Sequence, residues 1–251
     1  MKNKFSCIIL VLITLKSFNA FGAASDQVSA EPDDFKTTQI EDEIYDPIEP
    51  INRAIFSFNN VADRIVLEPM AKGYKKLPSP LQSGISNFLS NLRTPLVIVN
   101  QFLQGQGSNA VQSTGRFLVN STVGVFGLID VAERIGLEEK EEDFGQTLAT
   151  WGVGDGFYIV LPLFGPSNLR DTTGMVMTMM TDPINAYVVS EGEAWIVPMR
   201  TAANAVDQRS KIIDEVNALR DNSVDYYAAV RSSYYQNRNA AINNIDDSEL
   251  T

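Results

Sequence analysis

A chain of 251 residues can hold one large domain or two small ones, and this one contains a single cysteine and no histidine. Ser-His-Asp triads, histidine-based zinc sites and intrachain disulfides are thereby excluded. The formal charge of −11 becomes −14 once the three lysines of the first 24 residues are set aside, which opposes binding to nucleic acid or to anionic lipid surfaces.

The N-terminus reads "MKNKFSCIILVLITLKSFNAFGAAS". Lys2 and Lys4 precede an apolar run from Ile8 to Leu15, and a small-x-small exit permits cleavage after Gly22 or Ala24. Residues 1–24 are therefore expected to be an export signal, too short to span a membrane comfortably. Cys7 lies before the apolar run, where it cannot serve as the acylated cysteine of a lipoprotein signal. Residues 25–45 are polar, acidic and aperiodic, the composition of a disordered leader.

Helical periodicity begins at 46. One helix is expected over about 50–66, with Ile51, Ile55, Phe58, Ala62 and Ile65 on one side and Asn52, Asn59 and Asn60 among them. A second starts at "SPLQSGISNFLSNLR", with Ser79 as its cap. Pro95 is expected to interrupt it, leaving "PLVIVNQFLQG" as a separate apolar segment. A helix at about 108–121 and a helix-and-turn segment "GVFGLIDVAERIG" follow. The stretch "WGVGDGFYIVLPLFGPSNLRD" fits a buried strand, an irregular loop or a re-entrant hairpin equally well. "GMVMTMMTDPINAYVV" is apolar nearly all round, and two polar-faced helices close the chain at about 194–220 and 222–242.

"DFG" at 143–145 has none of the partner motifs of a kinase magnesium site. Gly152, Gly154 and Gly156 are followed by no basic residue, so a phosphate cradle gives way to backbone freedom. Asp46, Glu49, Asp130, Asp143 and Asp171 could supply a carboxylate pair for glycoside hydrolysis, but no spacing selects one. No motif calls for a cofactor or a metal. Short apolar helices broken by glycine and proline suggest a surface for something large and apolar.

The words "DPIEPINRAIFSFN", "NFLSNLRTPLVIVNQFLQG", "RFLVNSTVGVFGLIDVA", "DFGQTLATWGVGDGFYIVLPLFGPSNLRD" and "VRSSYYQNR" occur in that order. Together they make residues 46–238 resemble the MlaA (VacJ) family of outer-membrane phospholipid-handling proteins. The resemblance implies an all-α fold, a ring of short amphipathic helices set in the periplasmic-side leaflet around an amphipathic channel. It implies removal of stray phospholipid from the outer leaflet, a soluble periplasmic lipid carrier and a trimeric porin as partners, and no enzymatic activity. The family's lipobox cysteine has no counterpart here, so attachment is expected to rest on the apolar segments at 95–104, 157–165 and 174–189. The lipid-handling domain is expected over 46–243, with a polar tail at 244–251.

A diacyl lipid with some thirty methylenes faces on the order of 25 kcal/mol in bare water, at about 0.8 kcal/mol each. Its path must be apolar on one side and hydrogen-bonding on the other. Asn52 and Asn59 beside Ile55, Phe56 and Phe58 offer that pairing; local capping is the alternative for the amides. Gly152, Gly154, Gly156 and Pro162 are the candidates for a gate. A secreted carboxylate- or serine-dependent hydrolase, and a structural envelope protein without lipid traffic, remain as alternative functions.

Overall fold

The computed structural model describes residues 44–245; the expected signal, nearly all of the acidic leader and most of the tail lie outside them. Eleven helices and one β-hairpin make up the described part. Helix α1, Glu49–Ala62, opens with Pro50 in its first turn and Glu49 at its positive end, a favourable start on both counts. It continues through a π-helical turn, Asp63–Leu67, into α2, Glu68–Tyr74, so the segment expected at 50–66 runs further and changes pitch. The π turn is held where Asp63 receives Arg209 (2.9 and 3.1 Å) and Arg220 (2.9 Å) from two later helices.

Helix α3, Ser79–Leu103, passes through Pro95 without stopping. The expected interruption fails because the proline costs one backbone hydrogen bond, about 3 kcal/mol. A buried face of Leu89, Asn91, Thr94, Leu96, Val97, Asn100 and Gln101 carries the helix on through it. Ser79 is already helical and its side chain caps nothing.

Helix α4, Gly107–Thr122, packs along α3, and a tight loop leads into the single turn of α5, Val131–Arg134. Asp143 caps α6, Phe144–Thr150, through the Gln146 N–H. Strands β1, Tyr158–Leu161, and β2, Gly165–Asn168, form an antiparallel hairpin closed by Pro162, Leu163 and Phe164. The mostly helical fold thus carries one small sheet. The apolar methionine stretch divides at Asp182–Pro183 into α7, Leu169–Thr181, and α8, Pro183–Ser190. Asp182 caps α8 with both the Ile184 and Asn185 N–H groups. The expected helix at 194–220 is two, α9, Ile196–Lys211, and α10, Ile213–Asn222, and α11 is Tyr226–Ile242.

Packing follows a closed circuit and has no single central core. From α1 the contacts run through the π turn and α2 to α9, α3, α6 and α11. They return through β2 and β1 to α1. Buried apolar side chains among the described residues cluster at Tyr158, Val160 and Tyr227, flanked by Ile44, Ile55, Phe56, Tyr234 and Tyr235. Among the described residues, buried polar and charged side chains outnumber buried apolar ones, while large apolar side chains are exposed on α1 to α4 and α7 to α9. This is the reverse of a water-soluble domain. None of the described helices is long and apolar enough to cross a membrane.

Candidate functional site

Helix α1 carries the inversion most plainly. Much of its apolar stripe faces outward, with Ile51 58% and Phe58 56% exposed, whereas Asn52 is its one fully buried residue. Asn52 lies against the outer edge of the hairpin. Its Nδ2 donates to the Tyr158 carbonyl (3.0 Å) and to Asp46 Oδ1 (2.8 Å), and its Oδ1 accepts from the Val160 N–H (2.9 Å). Asn59 repeats the arrangement, donating to the Leu161 carbonyl (2.9 Å) and accepting from the Leu163 N–H (2.8 Å).

Seven helical residues rise about 10.5 Å, and three strand residues advance about 10 Å. The two amides therefore meet the strand at matching intervals and stand in for a third strand. Val160 turns its N–H to Asn52, so the residue opposite it, Pro166, can lack one at no cost to the ladder. The exposed edge that a lone hairpin would present is thus covered by side chains of a helix.

The amides of Asn52 and Asn59 are engaged with the hairpin backbone and are not local caps of their own helix. Ile55 and Phe56 pack against the Tyr158–Tyr227 cluster, and only Phe58 of the five expected path residues stands well exposed.

The gate residues separate as well. Gly152 (φ +86°) and Gly156 (φ +71°) adopt the left-handed conformation that suits glycine, and a Cβ on Gly156 would lie 2.8 Å from that of Leu169. Gly154 does not have a positive φ and has open space around it. Pro162 sits in the hairpin loop beside Leu163, 73% exposed, and Phe164.

Behind the hairpin lies a feature the sequence reading missed, a cavity of about 270 Å³ lined by α6, β2, α7 and α11. Arg238 spans its polar end, bidentate to Asp143 (2.7 and 2.8 Å) and reaching Asp171 with Nη2 (3.0 Å) and Nε (2.6 Å). The Tyr234 hydroxyl donates to Asp171 as well (2.5 Å). Burial pushes the Asp143 carboxyl up, but the hydrogen bonds and charge of Arg238 outweigh it and hold it below the usual carboxylate range. Pro166, Met175 and Thr178 line the less polar end.

"DFG" acquires a structural meaning here. Asp143 caps and pairs, Phe144 is buried, and Gly145 lets α7 cross at Gly174, where a Cβ would stand 2.4 Å from the Gly145 nitrogen. Asp143 and Asp171 were visible in the sequence as carboxylates, and "VRSSYYQNR" supplied the arginine. Nothing local joined them.

The other carboxylates weighed for hydrolysis are also committed. Asp46 bonds Asn52, Tyr227 and Arg231, Asp130 pairs with Arg116, and Glu49 holds Arg53 at 2.7 Å.

Fold and site together define a helical protein with a polar interior, an apolar exterior and a small amphipathic cavity, the form of a membrane-embedded binding or transport protein. The MlaA lipoprotein family model matches residues 44–241, and the chain belongs to that family. It is 36% identical over 197 residues to the intermembrane phospholipid transport system lipoprotein MlaA of Escherichia coli, covering 76% of each chain. It is 35% identical to the protein of that name from Haemophilus influenzae, with 79% of each chain covered. An uncharacterised protein of Rickettsia prowazekii is 38% identical over 202 residues, with 80% of this chain and 79% of the relative covered. A structure solved to explain maintenance of bacterial outer membrane lipid asymmetry superposes with a TM-score of 0.70 at 36% identity, covering 78% of this chain and 98% of that one.

Proposed function

We propose that this chain carries phospholipid between membranes, taking lipid that has strayed into the outer leaflet of the bacterial outer membrane and passing it to a soluble periplasmic carrier. The observation that supports this most is the inverted burial, with apolar side chains outward on short helices and polar side chains within. Half a bilayer core is about 15 Å thick, and about ten helical residues cross it. Helices of the length of α7 and α8 suit one leaflet. The protein sits on the periplasmic side after export by the signal at 1–24, against a trimeric porin, with 46–243 as its lipid-handling unit.

The route runs beside α1 and the hairpin, past Phe58. The hairpin tip, Pro162–Phe164, is the moving element, with Gly152 and Gly156 as its hinges. With no nucleotide motif in the chain, direction is set by the partners. Hydrolysis by the carboxylates is disfavoured because Arg238 holds Asp143 ionised, and the Glu133 N–H, Asn120 and Arg116 hold Asp130 ionised, leaving both unsuited to donate a proton.

The reading is tested in cells lacking their own copy, where surface phospholipid is measured by its attack by an added phospholipase. Expression of this chain should restore protection, and a failure to do so with the protein present in the outer membrane refutes it. Recovery of the native protein in the soluble fraction after a carbonate wash would refute the leaflet embedding.

A further inference from the structure

We propose that the cavity between α6, β2, α7 and α11 is a head-group gauge, accepting phospholipid heads that carry a primary ammonium and turning away heads of net negative charge. The proposal rests on the transport reading above. The cavity, at about 270 Å³, falls below the roughly 300–1,000 Å³ typical of pockets that enclose whole drug-sized ligands, so it admits a head and not two acyl chains.

Its charge balance supplies the selectivity. The wall holds two carboxylates, Asp143 and Asp171, and one cation, Arg238. Arg238 donates from Nη1 and Nη2 to those carboxylates and has Nε 2.6 Å from Asp171, so its charge is already matched by two carboxylates. Arg170, the nearby second cation, is itself turned to Asp155 and Asp171 and does not line the cavity. Counted through its ion pairs, the cluster at this wall has three carboxylates, Asp143, Asp155 and Asp171, against two guanidiniums, Arg170 and Arg238, and so keeps one surplus negative charge.

A carboxylate offers about four acceptor positions. Asp143 gives two to Arg238 and one to the Gln146 N–H, the Gln146 side-chain amide comes no nearer than 3.5 Å, and the Asp143 side chain keeps 42% of its surface exposed. An ammonium brings three donors and the missing positive charge. A glycerol head on a phosphate brings a second negative charge into a partly desolvated wall that cannot neutralise it. Pro166 and Met175 at the other end suit the glycerol ester region behind the head.

The full chain, extracted in mild detergent, is mixed with vesicles of equimolar phosphatidylethanolamine and phosphatidylglycerol and re-isolated, and the bound lipid is identified by mass spectrometry. Enrichment of the ethanolamine lipid by about tenfold is expected, well within what one charge at close range supplies. Asp143→Asn can still cap α6 and accept from Arg238 but removes the surplus charge, and should lower the enrichment to about twofold or less. Thr178→Lys, on the cavity wall outside the ion-pair cluster, adds a cation and should favour the glycerol lipid even if Asp143→Asn fails to fold. Bound lipid in the vesicle ratio for the wild type and for Thr178→Lys overturns the gauge and leaves transport standing. A wild-type protein that retains no phospholipid overturns both.

Discussion

Replacing Asn52 with leucine tests the amide latch between α1 and the hairpin. The change removes the partner of the Val160 N–H and of the Tyr158 carbonyl, both in a region where Tyr158 and Val160 are essentially inaccessible to solvent. Each buried group left unpaired costs about 1–3 kcal/mol, or about 2–6 kcal/mol for the two. Asp46 also loses a donor but keeps Tyr227 and Arg231. The added apolar surface returns at most about 1.5–3 kcal/mol, and less here because the site is shaped for an amide. A net loss of about 2–4 kcal/mol is expected, a fall in melting temperature of about 5–15 °C for a chain of this size. Asn59→Leu frees the carbonyl and N–H of Leu161 and Leu163 near the exposed loop, where water replaces the amide, and should cost under about 1 kcal/mol. Thermal unfolding in detergent and hydrogen exchange at the Val160 amide read both effects. Equal melting temperatures for wild type and Asn52→Leu, with Val160 still protected, would refute the latch. Near-normal stability but lost lipid clearance in Asn59→Leu would instead return that amide to the lipid path.

Gly154 and Gly156 should behave unequally. Gly154→Val meets open space and should stay within about 0.5 kcal/mol of wild type, whereas Gly156→Val imposes a left-handed φ and a clash with Leu169, costing about 2 kcal/mol or more; denaturant midpoints distinguish them. Gly174→Ala would force α7 from the Gly145 backbone and should destabilise by about 1–3 kcal/mol, read by thermal melting. Asp63, Asp130 and Asp143 are all held below the ordinary carboxylate range, burial being outweighed by their arginine and hydrogen-bond partners. Their folded values lie below the unfolded one of about 3.9, so the stability they add is complete above it and is lost as pH falls through the folded values. Asp63→Asn should therefore lower the melting temperature at pH 7 and have a smaller effect at pH 3, and an equal loss at both would contradict the pairing with Arg209 and Arg220.

Much of the molecule was legible in the residues alone. Helical periodicity, the glycine-bounded turn after α4 and the absence of histidine are local or compositional, and they pointed to the helical class and removed most catalytic chemistry. The hairpin was only one of three open readings, because "FYIVLPLFG" has no periodicity that separates a strand from a buried irregular segment. Pro95 and the π turn at Asp63 were misjudged because each is fixed by distant partners: a buried face on α3, and arginines of α9 and α10.

Periodicity also established that α1 has an apolar side, but not which way that side faces. An apolar stripe leaves water equally well against a protein core or a lipid tail, so the pattern is the same in both. Only the tertiary structure, by placing Asn52 against a strand more than a hundred residues away, turned the amides inward and the stripe outward. The same holds for Asp143, Asp171 and Arg238. The sequence supplied their charges, but the electrostatic energy that joins them falls with distance in space, and distance along the chain says nothing about it.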